Sequence, residues 1–317
     1  MNGSVVVSPL ASLHRLACGS PTGDVLSRRD AVGSWHVGKD VGMISDERLQ
    51  GLAGRVVEVP GVVGVLLGGS RARDEHIPDS DVDLGLYYRS PLDVSALSAL
   101  ARQVAGPQAE VTQTGAWGRW VDGGAWLSID GTAVDWIYRD LDRVHACWRE
   151  AQQGRYTFHA QVGHPLGVPD FAYPGELALG RVLADPDEEL SALQREVLSY
   201  PSQLGEALVA GLWEADFSLD NARKAVSRAD TAYISGCLFR AVELCAHALH
   251  GRAGRWLINE KGAVSAAGRL PEAPAGFTGR AHGVLASLGD RPEELRTAID
   301  EAAALLIDVR ARCDQHQ

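Results

Sequence analysis

Lysine is almost missing from this chain of 317 residues: thirty residues are basic, yet only Lys39, Lys224 and Lys261 are lysines. That bias towards Arg, Ala and Gly fits a GC-rich coding genome, in which arginine is the default cation. Lysine then persists mainly where a compact, flexible ammonium is wanted, and phosphate binding is one such use. Excess positive charge is missing too. A net charge of −11 argues against sequence-independent nucleic-acid binding, which needs a basic face. It suits a cationic small partner instead. The five cysteines (Cys18, Cys147, Cys237, Cys245, Cys313) are odd in number, widely spaced and contain no CxxC. This speaks against a disulfide framework or a zinc cage and leads us to expect a reducing, cytoplasmic setting. Cys237 and Cys245 fall in an apolar helical run and read as core. No stretch reaches the roughly eighteen apolar residues that a membrane span requires, so no membrane partner is expected. His247 and His250 stand three apart on a helix, but no nearby Asp or Cys completes a metal site. Internal repeats are absent.

What is present concentrates between residues 66 and 88, LLGGSRARDEHIPDSDVDLGLYY. An apolar run from Val62 to Leu67 ends in Gly68-Gly69-Ser70. Asp81 and Asp83 follow, inside a second apolar run. Side chains alternate along a strand, so these two carboxylates share one face, about 7 Å apart. Two acids aimed at one point repel unless a cation lies between them, which calls for a divalent metal. The glycines let backbone approach a phosphate closely, and the Ser70 amide and hydroxyl add donors. Together they indicate nucleoside triphosphate chemistry.

These residues resemble the nucleotidyltransferase superfamily typified by DNA polymerase beta, whose pattern is an apolar residue, Gly-Gly or Gly-Ser, a spacer, and Asp-apolar-Asp-apolar. Leu67-Gly68-Gly69, or Gly69-Ser70, followed by Asp81-Val82-Asp83-Leu84 fits it. Small bacterial members carry a run like GSRARG followed by SDIDL, close to Gly69-Ser70-Arg71-Ala72-Arg73 and Ser80 to Leu84. Asp74 stands where those members have Gly. The resemblance implies that Gly68, Gly69, Ser70 and Arg73 bind the nucleotide. It also implies a third acid from a later strand. Residues 125–139, AWLSIDGTAVDWIYR, read as two strands around the turn Asp130-Gly131. Asp135 lies in the otherwise apolar second strand, which is costly for a charge without a partner or metal. Asp130 reads as the turn residue and Asp140 as a helix cap. Asp135 is therefore the expected third acid.

Asp81, Asp83 and Asp135 would then hold two Mg2+ ions, with attack on the α-phosphorus and loss of pyrophosphate. Asp135 is also placed to take the acceptor's proton. The superfamily's helical partner domains set lysines and a Tyr or Ser against the triphosphate. By resemblance to bacterial relatives, Lys224, Asp230, Tyr233 and the run Asn259-Glu260-Lys261 stand at those places, with Lys224, Tyr233 and Lys261 as nucleotide-binding side chains.

The expected architecture is α+β: a small mixed-sheet nucleotidyltransferase domain at 43–160, a linker at 161–174 and an α-helical bundle at 175–317. Residues 1–42 lack periodicity and read as a disordered extension, or as sequence upstream of a true start at Met43. Helices are expected from Ser45 to Glu58, from Ser90-Pro91, over 141–152, 202–228, 230–250 and 292–314, and behind Asp185-Pro186. An edge strand is expected near 110–114. Trp117, Trp120, Trp126 and Trp136 cluster, and read as sheet-face packing more readily than as a roof for base or acceptor. The function implied is transfer of a nucleoside monophosphate, with ATP the favoured donor, to a hydroxyl of a small molecule such as an aminoglycoside or lincosamide antibiotic. The alternatives are modification of a protein or tRNA, as toxin–antitoxin members do, and a nucleotide-binding regulator whose catalysis has lapsed.

Overall fold

The computed structural model describes residues 44–72 and 81–314; the expected extension 1–42 and Arg73 lie outside them. Helix α1 (Asp46–Val56) starts where Ser45 accepts the Arg48 amide, and buries Leu49, Leu52, Ala53 and Val56. Strand β1 (Val62–Leu67) leads into a single helical turn, α2 (Gly69–Ala72), and β2 spans Val82–Tyr88. Helix α3 (Val94–Ala105) is capped by Asp93, not by the expected Ser90-Pro91, because the Asp93 carboxylate is what accepts the Ala96 amide. Residues 110–114 form no strand; Thr112 exchanges hydrogen bonds with Gly124, and its carbonyl accepts the Tyr138 hydroxyl.

Strands β3 (Gly124–Ile129) and β4 (Thr132–Asp140) make the expected hairpin. Asp130 (φ +53) and Gly131 (φ +83) turn it with two left-handed residues, the twist that matches paired strands. Asp140 then caps α4 (Leu141–Gln152) through the Asp142 and Arg143 amides. The Pro- and Gly-rich run read as a linker is structured. It begins at the last residue of β5 (Phe158–Gln161), forms β6 (His164–Pro169), which pairs antiparallel with β5, and enters α5 (Ala172–Leu179).

The region beyond 175 is not wholly helical. Strand β7 (Arg181–Ala184) pairs antiparallel with β1, giving a five-stranded sheet ordered β3-β4-β2-β1-β7 in which only β2 and β4 run parallel. Asp185 then accepts the Leu190 and Ser191 amides at the start of α6 (Glu189–Val197). The expected helix 202–228 is two, α7 (Ser202–Ala210) and α8 (Trp213–Ala225). They break at Gly211, where a side chain would run into the Tyr156 hydroxyl. The remainder is α9 (Thr231–Arg252), α10 (Ala263–Ala267), α11 (Phe277–Ala286) and α12 (Pro292–Asp314). Among the described residues, no helix is long and apolar enough to cross a membrane.

Three apolar clusters organise these elements. Leu84, Leu86, Val134, Trp136 and Tyr138 pack one sheet face against α1 and α3. Leu66 and Tyr87, on the opposite face, pack with α4, α5, α6 and α7. The third core surrounds α9 and holds Cys245, with Cys237 against it, as the sequence suggested. The sheet is thus covered on both faces. The second covering, however, lies over the Tyr87 end of β2, and the other end carries acids.

Candidate functional site

Alternation along β2 and β4 decides which residues meet. Val82, Leu84, Val134, Trp136 and Tyr138 are buried in the α1–α3 core. Asp83, Gly85 and Tyr87 must therefore face the other way, as must Asp135, Ile137 and Arg139. The parallel register pairs Asp83 directly with Asp135, Gly85 with Ile137, and Tyr87 with Arg139. Neighbouring strands lie about 4.8 Å apart, so the Asp83 and Asp135 side chains stand side by side. Asp81 is exposed just ahead of β2, one strand repeat from Asp83.

Electrostatics gather the three acids into one unit. Burial, then the charge of Asp83, then that of Asp81, pushes the Asp135 carboxyl up to about 6. Repulsion of this kind is relieved by a proton or by a cation. The donor set suits a hard divalent ion such as Mg2+, which takes carboxylate oxygens and keeps several waters. Among the described residues, no three acid, His or Cys side chains are drawn tightly enough to cage a metal on their own, so waters and substrate oxygens would have to complete the shell.

The glycine turn is built against these acids. Gly68 donates its amide to the Asp83 carbonyl at 2.8 Å. Gly69 has φ +63, and a Cβ there would sit 1.9 Å from Asp83 Oδ2. Only glycine tolerates both the left-handed backbone and that contact. Ser70 and Arg71 continue into α2.

Sequence reasoning missed what lies behind the acids. Arg139, four residues beyond Asp135 on the same face, donates Nε to Glu176 Oε2 at 2.7 Å, both side chains largely buried. Glu176 Oε1 would lie 3.4 Å from a Cβ on Gly85 and 3.9 Å from one on Gly68. This ion pair therefore backs the strands that carry Asp83 and Asp135. The Arg139 guanidinium also lies 5.4 Å over the Tyr173 ring. The spacing of Asp135 and Arg139 was readable in β4, but Glu176 comes from α5, beyond the run taken for a linker.

The helical residues stand apart from one another. Lys261 is exposed in the turn before α10, its amide donating to Asn259 Oδ1 at 2.8 Å. Three residues earlier, Ile258 packs on Gly175, next to Glu176, which ties this turn to the back of the site. Glu260 lies 3.5 Å from His164 Nδ1. Lys224, in the last turn of α8, bonds Asn221 at 3.1 Å. Tyr233 is exposed in the first turn of α9, capped by Asp230. Nothing described joins Lys224 or Tyr233 to the acids. His247 and His250 are buried without hydrogen-bond partners, and burial pushes His247 down to about 3 and His250 to about 4. They are packing residues. Of the tryptophans, Trp136 is core, Trp120 stacks on His159, and Trp117 stacks on Trp126, which is exposed.

Residues 49–135 match the family model of the nucleotidyltransferase domain. The match runs from α1 to Asp135 and so includes the glycine turn and all three acids. No curated protein matches the chain in sequence. Among solved structures, the chain is similar to a nucleotidyltransferase-like protein from Exiguobacterium sibiricum 255-15, with 12% identity, a TM-score of 0.42, and 82% of this chain and 74% of that one covered.

Proposed function

Residues 49–135 are a nucleotidyltransferase domain of the DNA polymerase beta-like superfamily, and from that premise we propose transfer of a nucleoside monophosphate, AMP from ATP in first place, to a hydroxyl of a small acceptor. The observation that carries this reading is the register of Asp83 with Asp135, with Gly69 pressed against the Asp83 carboxylate. Asp81 and Asp83 would hold one Mg2+, and the same pair with Asp135 a second. Such ions, when bound, neutralise the triphosphate and favour in-line displacement at the α-phosphorus. Gly68 and Gly69 keep the backbone low, so that phosphate oxygens come close to Asp83. Asp135, on the side of Asp83 away from the glycine turn, takes the proton of the acceptor hydroxyl. The acceptor oxygen then bonds to the α-phosphorus while the bond from that phosphorus to the bridging oxygen breaks, and pyrophosphate leaves.

The acidic balance of the chain favours a cationic, polyhydroxylated acceptor of the aminoglycoside type over a nucleic acid. Lys261 supports the β- and γ-phosphates from the helical side; Lys224, in the last turn of α8, and Tyr233, in the first turn of α9, lie at the opposite end of α9 from it and are left out of this clamp. The test is direct. The protein is incubated with Mg2+ and each α-labelled NTP, and aminoglycosides, total tRNA and cell lysate are offered in turn. Label passing from ATP to an aminoglycoside, with pyrophosphate released, is the expected result. Label appearing only in tRNA or protein overturns the acceptor class; no label anywhere overturns the reading itself.

A further inference from the structure

Trp126 is a large apolar side chain left 71% exposed, and its position on β3 makes that exposure informative. It is the register partner of Asp135. Cross-strand partners project to the same face, so the indole stands directly beside the third acid. Its neighbours on β3, Ala125 and Leu127, are buried in the opposite core. Reading across the sheet on the open face, the order is glycine turn at the end of β1, Asp83 on β2, Asp135 on β4 and Trp126 on β3. Trp126 is separated from the glycine turn by both acids.

The side chain is also packed against a neighbour. Trp117 stacks on it with ring centroids 4.4 Å apart and planes 19° from parallel. Trp117 in turn rests over Gly124, where a Cβ would come within 3.1 Å of its ring. Its carbonyl accepts Gln161 Nε2 at 2.5 Å, and its amide donates to the Asp122 carbonyl at 3.4 Å. Trp117 lies on the Gly124 side, and the next residue on the same face of β3 in the other direction is Ser128, itself exposed, towards the end of the sheet where Asp81 lies. A stacked indole pair with one free face, beside carboxylates, offers apolar contact and hydrogen-bond acceptors together.

We propose that Trp126, braced by Trp117, is the acceptor-positioning wall of the site: it stacks on the flat face of a neutral or cationic ring and so brings that ring's hydroxyl to Asp135. This rests on the function proposed above and deepens it by naming where the acceptor lies and what shape it has. An anionic ring is disfavoured by the three acids beside it. The nucleotide's own base is disfavoured by the order across the sheet, which puts the triphosphate on the glycine side.

Binding tests this apart from turnover. The full chain with Mg2+ is titrated calorimetrically with neamine, a polycationic two-ring compound, with spermine, a flexible polyamine of equal charge, and with ATP. Wild type is expected to bind neamine more tightly than spermine. Trp126→Ala should weaken neamine by about tenfold while spermine and ATP shift by less than about twofold, and Trp126→Phe should recover most of the loss. Loss of an exposed side chain leaves the cores intact, which an unchanged melting temperature would verify. Three results overturn the proposal: neamine binding no tighter than spermine, neamine binding unchanged in Trp126→Ala, or ATP binding falling as much as neamine. The last would give the wall to the nucleotide base. Failure of the transfer assay would refute the function proposed above and leave these binding outcomes readable by themselves.

Discussion

Asp135 on β4 and His247 on α9 are both ionisable groups held towards their neutral forms, yet their surroundings differ in kind. Asp135 is pushed up to about 6 by burial and then by two neighbouring carboxylates, on a sheet face that still meets solvent. His247 is pushed down to about 3 by burial and then by His250, its ring packed edgewise between Phe158 and Phe171 at 5.0 and 5.7 Å. Both its nitrogens lack a partner. Repulsion among acids that a cation can reach amounts to a demand for a ligand. Burial that nothing can reach is only packing. The size of a shift does not separate the two; its cause and its access to solvent do.

The sharpest break of that comparison is at Asp83. Asp83→Ala should lower transfer by roughly a thousandfold, since metal-mediated charge stabilisation is worth several kcal/mol. The melting temperature should change little, because Asp83 lies outside the three apolar cores. Initial rates of pyrophosphate release, set beside a thermal melt, check both; a variant keeping more than about a tenth of the activity would return Asp83 to the class of His247. Next comes Asp135→Asn, which keeps shape without charge. Transfer should fall by about a hundredfold or more while NTP affinity changes little, since in the proposed mechanism Asp81 and Asp83 would be the main holders of the triphosphate's ion. Equal losses in rate and affinity would move the proton-taking role elsewhere.

A smaller effect is expected at Lys261. If its ammonium reaches the phosphates, Lys261→Ala raises the NTP requirement by roughly ten- to a hundredfold, and acceptor affinity is unchanged. Lys261→Arg restores only part, because a planar fork does not reproduce a point charge. Steady-state kinetics with each substrate varied in turn distinguishes this from a structural role.

The smallest effect sharpens the comparison most, because the two groups give slopes of opposite sign. Without metal, folded Asp135 keeps its proton between about pH 4 and about 6, where the unfolded chain has lost it. Its contribution to stability is therefore full at low pH and fades as pH rises through 6. Folded His247 refuses the proton that the unfolded chain takes between about 6.5 and about 3, so its contribution is full above 6.5 and fades as pH falls. Melting curves in EDTA across this range should steepen their acid loss in Asp135→Asn and flatten it in His247→Phe. Added Mg2+ should abolish the Asp135 slope and leave that of His247 untouched.

Much of the site was legible because strand alternation is rigid. Asp81 and Asp83 could be put on one face from spacing alone, while Asp135 was expected from the resemblance and joins them through the β2–β4 register; the Asp130-Gly131 turn was readable, and the hairpin it makes brings Asp135 opposite Trp126. The helices were legible where a cap and a stripe agreed, as at Ser45 and Asp140. Three things were not. Strand β7 is four residues long, too short for any periodicity, and gains its conformation by pairing with β1. Strand β6 hides in a run whose Pro and Gly signals look the same in a linker. The Arg139–Glu176 pair spans two regions that local pattern cannot connect. Trp126 was read as packing because composition gives no sign of which tryptophans an incomplete helical layer leaves uncovered.

The late arrival of β7 has a bearing on how the chain is made. While the ribosome has released β1, β2, β3 and β4 but not yet residues 181–184, the outer side of β1 is an open edge of Val65, Leu66 and Leu67, the kind of edge that recruits other strands. Arg139 is likewise without its counter-charge until Glu176 emerges, and a charge buried alone is costly. The five-stranded sheet is therefore complete only some fifty residues after Asp135, roughly the span from Asp135 to Ala184. A nascent chain stalled before that point, or a gene cut at residue 160, is expected to yield a sticky half-sheet in place of a small working enzyme.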